Sequence, residues 1–401
     1  MLTKFTINII VNNKILWYNN TKQNFTELIK IKKVLILSCS TGEGHNSAAH
    51  AIEDALAEKG IEFELLDPIS FRSEGARRRV ASLYNNMIRK TPHLFGVVYK
   101  AGGLFEKTRI TSPVYYANGV YSKRLEEYIV NNGFDAVIST HLYGMEALTA
   151  IKKRGNNIPS FGIITDYTCI PFTGETRLDK YFIPSGELEL EFISKGLPSE
   201  SLIASGIPTA KRFSNRFSKE EAREMLGISG STRIYLAATG GVGCENMFRC
   251  LEALKRAEKG DYCIYLLTGR NKLMKERIDK KYKKSKHIVS VPFTRDINVY
   301  MNAADVMISK AGGLSSTEAA VAGIPLVHVH AIPGCETKNV QFFSEKGMSV
   351  YAKSSAEAAR LAISLATDTE KAEKMRECQR KYVNSDAAVR IVDEIISFCD
   401  R

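Results

Sequence analysis

Several features that would fix the class of this chain at once are missing. No run approaches the roughly 20 consecutive apolar residues of a bilayer-crossing helix, so a transmembrane helix is excluded at this level. The eight cysteines (39, 169, 244, 250, 263, 335, 378 and 399) form no CxxC and no Cys/His pairing at zinc spacing. That argues against a disulfide framework or zinc module and fits a reducing, cytosolic compartment. No Asp-x-Asp occurs, so no metal site holding a diphosphate through paired carboxylates is expected. The phosphate loop GxxxxGK[ST] is absent too. The start, MLTKFTINIIVNNKILWYNN, is broken by Asn8, Asn12 and Asn13 and has no small-residue cleavage site, so it does not read as a signal peptide.

What is present is an ordinary globular composition, 44% hydrophobic and 25% charged, over 401 residues. That length suggests two domains. Lys and Arg number 56 against 44 Asp and Glu, a net charge of +12. The surplus points to an anionic partner: nucleic acid, an acidic membrane surface or a phosphorylated substrate.

Residues 1–32 are Asn- and Lys-rich with weak periodicity and are expected to be a poorly ordered extension. From Lys33, β-branched runs alternate with amphipathic stretches. VLILS (34–38), FELLD (63–67), DAVIST (135–140), PSFGIITD (159–166) and KYFIP (180–184) read as strands of a first parallel sheet. The pattern pauses at Gly206-Ile207-Pro208 and resumes with the capping box Ser218 to Glu221. RIYLAAT (233–239), YCIYLLTG (262–269), IVSVPF (288–293), DVMIS (305–309), IPLVHVH (324–330) and MSVYA (348–352) then repeat the theme. The expected division is 33–206, 207–375 and a terminal segment, 376–401, whose apolar spacing suits packing on a neighbouring domain. The fold class is therefore α/β, two Rossmann-like domains facing each other.

One stretch departs from the alternation. Residues 72–109 carry nine basic side chains, including Arg77, Arg78, Arg79, Arg89, Lys90 and Lys100, against two acidic ones, interleaved with aromatics. That mixture suits an anionic membrane interface; a solvated pair of charged helices would look similar. The run KKYKKSK (280–286) reads as a solvated helix end.

The chemistry concentrates in turns between a strand and a helix. Ser40-Thr41-Gly42-Glu43-Gly44-His45 follows the first strand; Gly42 and Gly44 let the backbone approach a phosphate, and the helix N-terminus disfavours a charged imidazolium at His45, leaving a neutral base. Ser309-Lys310-Ala311-Gly312-Gly313-Leu314-Ser315-Ser316-Thr317-Glu318 repeats the arrangement. Its glycines and hydroxyls Ser315 and Ser316 suit a pyrophosphate, and Glu318 suits ribose hydroxyls. Glu336 and Asn339, in PGCETKN, lie one helical turn apart and suit sugar hydroxyls. Asp166 ends a strand at the edge where open α/β sheets bind ligands, and Gly240 and Gly241 occupy the corresponding place in the second half.

The motifs LSCSTGEGHNSAAHAIEDAL, GIITDY, GIPTAKRF, ISKAGGLSSTEAAVAGIPLV and IPGCETKN, in this order, resemble the monogalactosyldiacylglycerol synthase and processive diacylglycerol glucosyltransferase family, relatives of the lipid-linked GlcNAc transferase of peptidoglycan synthesis. The resemblance spans about residues 33–352. It implies a GT-B fold and inverting, metal-independent transfer of glucose or galactose from a UDP-sugar to diacylglycerol or a glycosylated diacylglycerol. The enzyme would need no cofactor and would act as a peripheral protein at the cytoplasmic membrane face. His45 and Asp166 become the candidates for activating the acceptor hydroxyl, Gly312, Gly313 and Ser315 the diphosphate turn, Glu318 the ribose ligand, Phe293 the uracil-side backbone position, and Glu336 with Asn339 the sugar contacts. Ala210 stands where the family usually has Arg, so the phosphate contact either passes to Lys211 or is lost. Three rivals remain: GlcNAc transfer to a polyprenyl-diphosphate lipid, a UDP-sugar epimerase, and a basic nucleic-acid-binding protein. The last is not expected, since no RNP, helix-turn-helix or zinc pattern occurs.

Overall fold

The computed structural model describes residues 9–11, 14–16, 31–39, 43–106, 108, 110–214, 217–228, 230–238 and 244–401. Strands β1 (Ile9–Val11) and β2 (Lys14–Leu16) pair as a short antiparallel ribbon; Ile31 is buried against the first domain, Lys32 N donates to Asp135 Oδ2 at 2.7 Å, and the rest of the expected extension lies outside the described residues.

The first domain is built on a six-stranded sheet of β3 (Lys33–Leu37), β4 (Glu62–Leu66), β5 (Ala136–Ser139), β6 (Ser160–Ile163), β7 (Lys180–Ile183) and β8 (Leu202–Ala204), in the order β4-β3-β5-β6-β7-β8. Every pairing is parallel. Central strands covered on both faces need continuous apolar runs, and Val34 to Leu37 are all fully buried. Their side chains alternate: Val34 and Ile36 join one core layer, Leu35 and Leu37 the other. Around the sheet run α1 (Glu43–Glu58), α2 (Glu74–Lys90), α3 (Pro92–Glu106), α4 (Pro113–Gly119), α5 (Ser122–Asn131), α6 (Leu142–Lys153) and α7 (Glu189–Ser194). In α1, buried Ala48, Ile52, Ala55 and Leu56 recur at helical spacing and define the packed face.

The second domain carries β9 (Arg233–Ala238), β10 (Tyr262–Gly269), β11 (Ile288–Pro292), β12 (Val306–Ser309), β13 (Leu326–Val329) and β14 (Val350–Ala352), ordered β11-β10-β9-β12-β13-β14 and again parallel. Its helices are α8 (Lys219–Met225), α9 (Cys244–Ala257), α10 (Lys272–Tyr282), α11 (Ile297–Ala303), α12 (Gly313–Ala322), α13 (Cys335–Glu345), α14 (Ser355–Thr367) and α15 (Thr369–Tyr382). The capping box at α8 forms as its sequence requires. The chain then crosses back, and α16 (Ala387–Cys399) buries Ala388, Ile391, Val392 and Ile395 in the first domain.

Both crossings pass one point. Gly206 has φ +93°, and a Cβ there would stand 3.2 Å from those of Asn384 and Ala387, while the Asn384 amide donates to Ser205 O at 2.9 Å. The expected boundary at 376 instead falls inside α15, whose Gln379 amide donates to Ile324 O and Met348 O of the second domain.

In each sheet the strand order reverses once, between β3 and β5 and between β9 and β12. Such reversals open a crevice at the carboxyl ends of the strands, where ligands of open α/β sheets bind. The first turn of α1, after β3, carries His45, the loop after β5 carries His141, and the loop after β12 carries Gly312. The two crevices face each other.

Candidate active site

On the first-domain side, His45 is the third residue of α1. Its Nδ1 lies 2.8 Å from the Thr140 carbonyl and 3.1 Å from Thr165 Oγ1. A carbonyl can only accept, so Nδ1 carries the hydrogen and the lone pair falls on Nε2. Among the described residues nothing hydrogen-bonds Nε2. Burial pushes the imidazole below its ordinary value, and the nearby Asp166 charge only partly opposes this. Edge-on at 4.6 Å stands His141, whose Nδ1 caps α6 by accepting from Tyr143 N. Burial, followed by the His45 charge, holds it well below the usual imidazole value. Two such rings in contact resist protonation of either.

Asp166 follows β6, and its Oδ1 accepts from Asn339 Nδ2 at 2.8 Å. Asn339 is fully buried. Its amide also donates to Ala311 O, and its carbonyl oxygen accepts from Tyr167 N. The same clasp includes Tyr167, stacked on Phe342 at 4.7 Å and bonded through its hydroxyl to Thr317 Oγ1 at 3.0 Å. Gly313 is part of it: a Cβ there would stand 2.0 Å from Thr165 O, so the second glycine of the turn lets the domains meet backbone to backbone. Gly44 in turn faces Leu314, with room for ordinary contact. The N-termini of α1 and α12 thus converge on one cleft, each presenting free N–H groups.

On the second-domain side, Gly312 is the N-cap of α12 and the Ser315 hydroxyl donates to its carbonyl. Further along α12, the carboxyl of Glu318 has no hydrogen-bond partner among the described residues; desolvation pushes it up to about 7, with the Arg212 charge pulling the other way. Glu336 is already engaged, by Lys310 Nζ at 2.9 Å and Ile332 N at 2.8 Å. Phe293 is exposed, its N–H bonded to Gly269 O, with the Arg270 guanidinium 4.7 Å above the ring. Beside it lies a cavity of about 370 Å³ lined by Gly269, Arg270, Asn271, Lys272, Pro292 and Phe293 among others. Arg270 also reaches Glu43 of α1 at 3.5 Å, so this cavity adjoins the interdomain cleft.

Two expectations need correction. Lys211 pairs with Glu58 at 2.7 Å, at the far end of α1 from Gly44, a separation of about 20 Å at 1.5 Å per residue. The neighbouring Arg212 is the cation beside Glu318. Ser316 is turned into the core, 1% exposed, with its hydroxyl 2.9 Å from His328 Nε2, so of the two serines only Ser315 faces the turn. Gly42, Gly240 and Gly241 lie outside the described residues. Sequence reasoning passed over His141, Arg212 and Arg270; His141 was findable, because it follows the end of β5 at the reversal point, as Asp166 follows the end of the neighbouring β6.

Of the basic segment, Arg77 pairs with Glu74 at 3.0 Å, while Arg78, Arg79 and Lys100 are exposed. Arg89 and Lys90 belong to α2, with side chains outside the described set. Leu83, Val97, Leu104, Ile110, Tyr116 and Val120 are each more than 60% exposed, an unusual density of bare apolar side chains. Among the described residues no helix is long and apolar enough to cross a membrane.

Two facing parallel sheets, a cleft lined by helix N-termini and a terminal helix returning to the first domain define a GT-B protein. The same fold occurs in the MurG of Acinetobacter baumannii (TM-score 0.61, 17% identity, 91% of this chain and 99% of that one) and in the S. aureus MnaA–UDP co-structure (TM-score 0.61, 15% identity, 92% and 97%). Residues 45–209 match the family described as monogalactosyldiacylglycerol (MGDG) synthase, and residues 238–394 the glycosyltransferase family 28 C-terminal domain. A processive diacylglycerol beta-glucosyltransferase of Bacillus cytotoxicus is 26% identical over 372 residues, covering 92% of this chain and 94% of the relative. By these matches the first domain is that of the MGDG synthase family and the second is a glycosyltransferase family 28 C-terminal domain.

Proposed function

We propose that the enzyme moves a hexose, glucose or galactose, from a UDP-sugar to diacylglycerol or a glycosyl-diacylglycerol, with inversion, at the cytoplasmic face of the membrane. The observation that carries this reading is the half-buried, neutral His45, whose Nε2 has no hydrogen bond among the described residues, at the cleft. In the reaction, Nε2 takes the proton of the acceptor hydroxyl as its oxygen attacks the anomeric carbon from the face opposite the diphosphate. The bond from that carbon to the phosphate oxygen breaks, and its electron pair leaves with UDP. The N-terminal N–H groups of α12 and the Ser315 hydroxyl receive the charge. Glu318 accepts from the ribose hydroxyls, and the uracil lies toward Phe293. Asp166, fixed by Asn339, sustains the imidazolium as it forms. Glu336 and Asn339, held rigid by their own bonds, shape the sugar end rather than reaching freely into it.

Arg78, Arg79 and Lys100 beside the bare Leu83, Val97 and Leu104 support docking of this face on anionic lipid, at about 1 kcal/mol per basic residue. The test is incubation with diacylglycerol-containing anionic liposomes and radiolabelled UDP-glucose, UDP-galactose or UDP-GlcNAc. A glycosyl-diacylglycerol should form from one of the first two. Turnover of UDP-GlcNAc alone, or of donor without lipid, would defeat the reading.

A further inference from the structure

Helix α3 touches both domains along one face. At Gly96 there is no room for a side chain: a Cβ would stand 2.6 Å from that of Pro333, in the loop between β13 and α13 of the second domain. One turn later the ring of Tyr99 lies on Gly334, where a Cβ would come within 3.0 Å of two ring carbons, and Gly334 has φ +119°, a conformation that side chains rarely adopt. Tyr99 is half-buried; desolvation raises its phenol value, and the charges that add to this come from both sides, Cys335 of the donor-side loop first and then Asp166, Glu191 and Cys169 of the first domain. Further along, α3 is fastened to its own domain. A Cβ at Gly102 would meet Pro171 and Phe172 at 3.2 Å. Glu106 accepts from Phe172 N at 2.5 Å and pairs with Lys195 at 2.7 Å. Positions 96, 99, 102 and 106 share one face of a helix, while Val97, Lys100 and Leu104 on the other are exposed.

The loop that α3 presses upon, Pro333-Gly334-Cys335, opens α13, the helix that carries Glu336 and Asn339. We propose that Tyr99 is a positioning residue for the hexose end of the donor: with Gly96 it holds this loop in the one conformation that presents the start of α13 to the sugar. The nucleotide end is held elsewhere, by α12 and β11, and does not depend on it. This inference rests on the UDP-sugar reading above. It also makes the helix that bears the exposed Val97, Lys100 and Leu104 the one that forms the hexose subsite.

The test compares UDP and UDP-hexose affinity by calorimetry in wild type, Tyr99→Ala, Tyr99→Phe and Gly96→Ala, with hydrogen exchange at residues 334–338 in each. Tyr99→Ala and Gly96→Ala should weaken UDP-hexose about tenfold, with UDP affinity within about twofold of wild type, and speed exchange in the loop. Tyr99→Phe keeps the ring on Gly334, so exchange in the loop should stay close to wild type. Equal loss of UDP and UDP-hexose, or unchanged UDP-hexose affinity in Tyr99→Ala, overturns the positioning role. Unchanged exchange in both Tyr99→Ala and Gly96→Ala overturns it without reference to any ligand. A wild-type chain that binds UDP but no UDP-hexose overturns both this inference and the donor reading, which separates that outcome from failure of Tyr99 alone.

Discussion

His45 is half-buried and His328 fully buried, and desolvation keeps both uncharged at neutral pH, yet they are used differently. His328, on β13, has hydroxyls against both ring nitrogens, Ser316 at 2.9 Å and Ser349 at 3.0 Å, and burial pushes it down to about 3. His45 engages only Nδ1. The carboxylates divide the same way: Glu336 is tied by Lys310 and Ile332 N, whereas Glu318 has no hydrogen bond among the described residues. A buried polar group leaves a partner unmade only at a cost; His45 and Glu318 are half-buried at the cleft, where a ligand can supply the missing bond. The half-used groups at this cleft therefore mark where substrate completes the bonding, and the fully used ones hold the walls.

The sharpest way to break this contrast is to remove each imidazole in turn. His45→Ala should lower kcat by about 10²- to 10⁴-fold, the usual worth of a general base, while UDP affinity and melting temperature stay near wild type. Wild-type turnover would end the base assignment. His328→Ala should do the reverse, leaving turnover per folded molecule intact and destabilising by about 1–3 kcal/mol for each abandoned serine hydroxyl, measured by urea unfolding. The folded state refuses a proton that the unfolded chain accepts at about 6.5, so His328 makes stability fall as pH drops from there toward 3. The variant should lose that part of the acid slope. If His328→Ala instead abolished turnover without unfolding, the contrast would collapse.

Between the carboxylates, Glu318→Ala should weaken UDP about tenfold or more, the range of a hydrogen bond to a charged group, with little change in stability because burial of this carboxyl already opposes ionisation. Unchanged UDP affinity would remove the ribose role.

The sheets were readable because parallel strands covered on both faces are nearly continuous apolar runs; β10 spans the expected 262–269, and most others shift by a residue or two. The edge strand β8, only three residues long and half-buried, left no such signature. At the site, the turns were legible and the side-chain directions were not. Ser315 and Ser316 differ by one step of about 100° around α12, which sends one hydroxyl to the turn and the other to His328. Lys211 and Arg212, in a short 3₁₀ turn at 211–213, are likewise one residue step apart, about 120° there. Asn339 was placed on the correct helix, but its bonds to Asp166 and Tyr167 depend on residues more than 170 positions away, a relation that helical periodicity does not carry.

The smallest effect is also the one that separates His45 from Asp166 as the base. Because burial lowers the His45 value, the rate should be level above pH 6.5 and fall only as acidity rises through that lowered value. Asp166→Asn keeps an oxygen for the Asn339 amide while removing the charge that favours imidazolium. Without it the lowered value drops further, so the acid limb of the profile should move to lower pH, with a modest loss of kcat from weaker support of the imidazolium. A limb that moves this way identifies His45 as the titrating base. If Asp166 were the base, the variant would retain almost no turnover and show no limb to move.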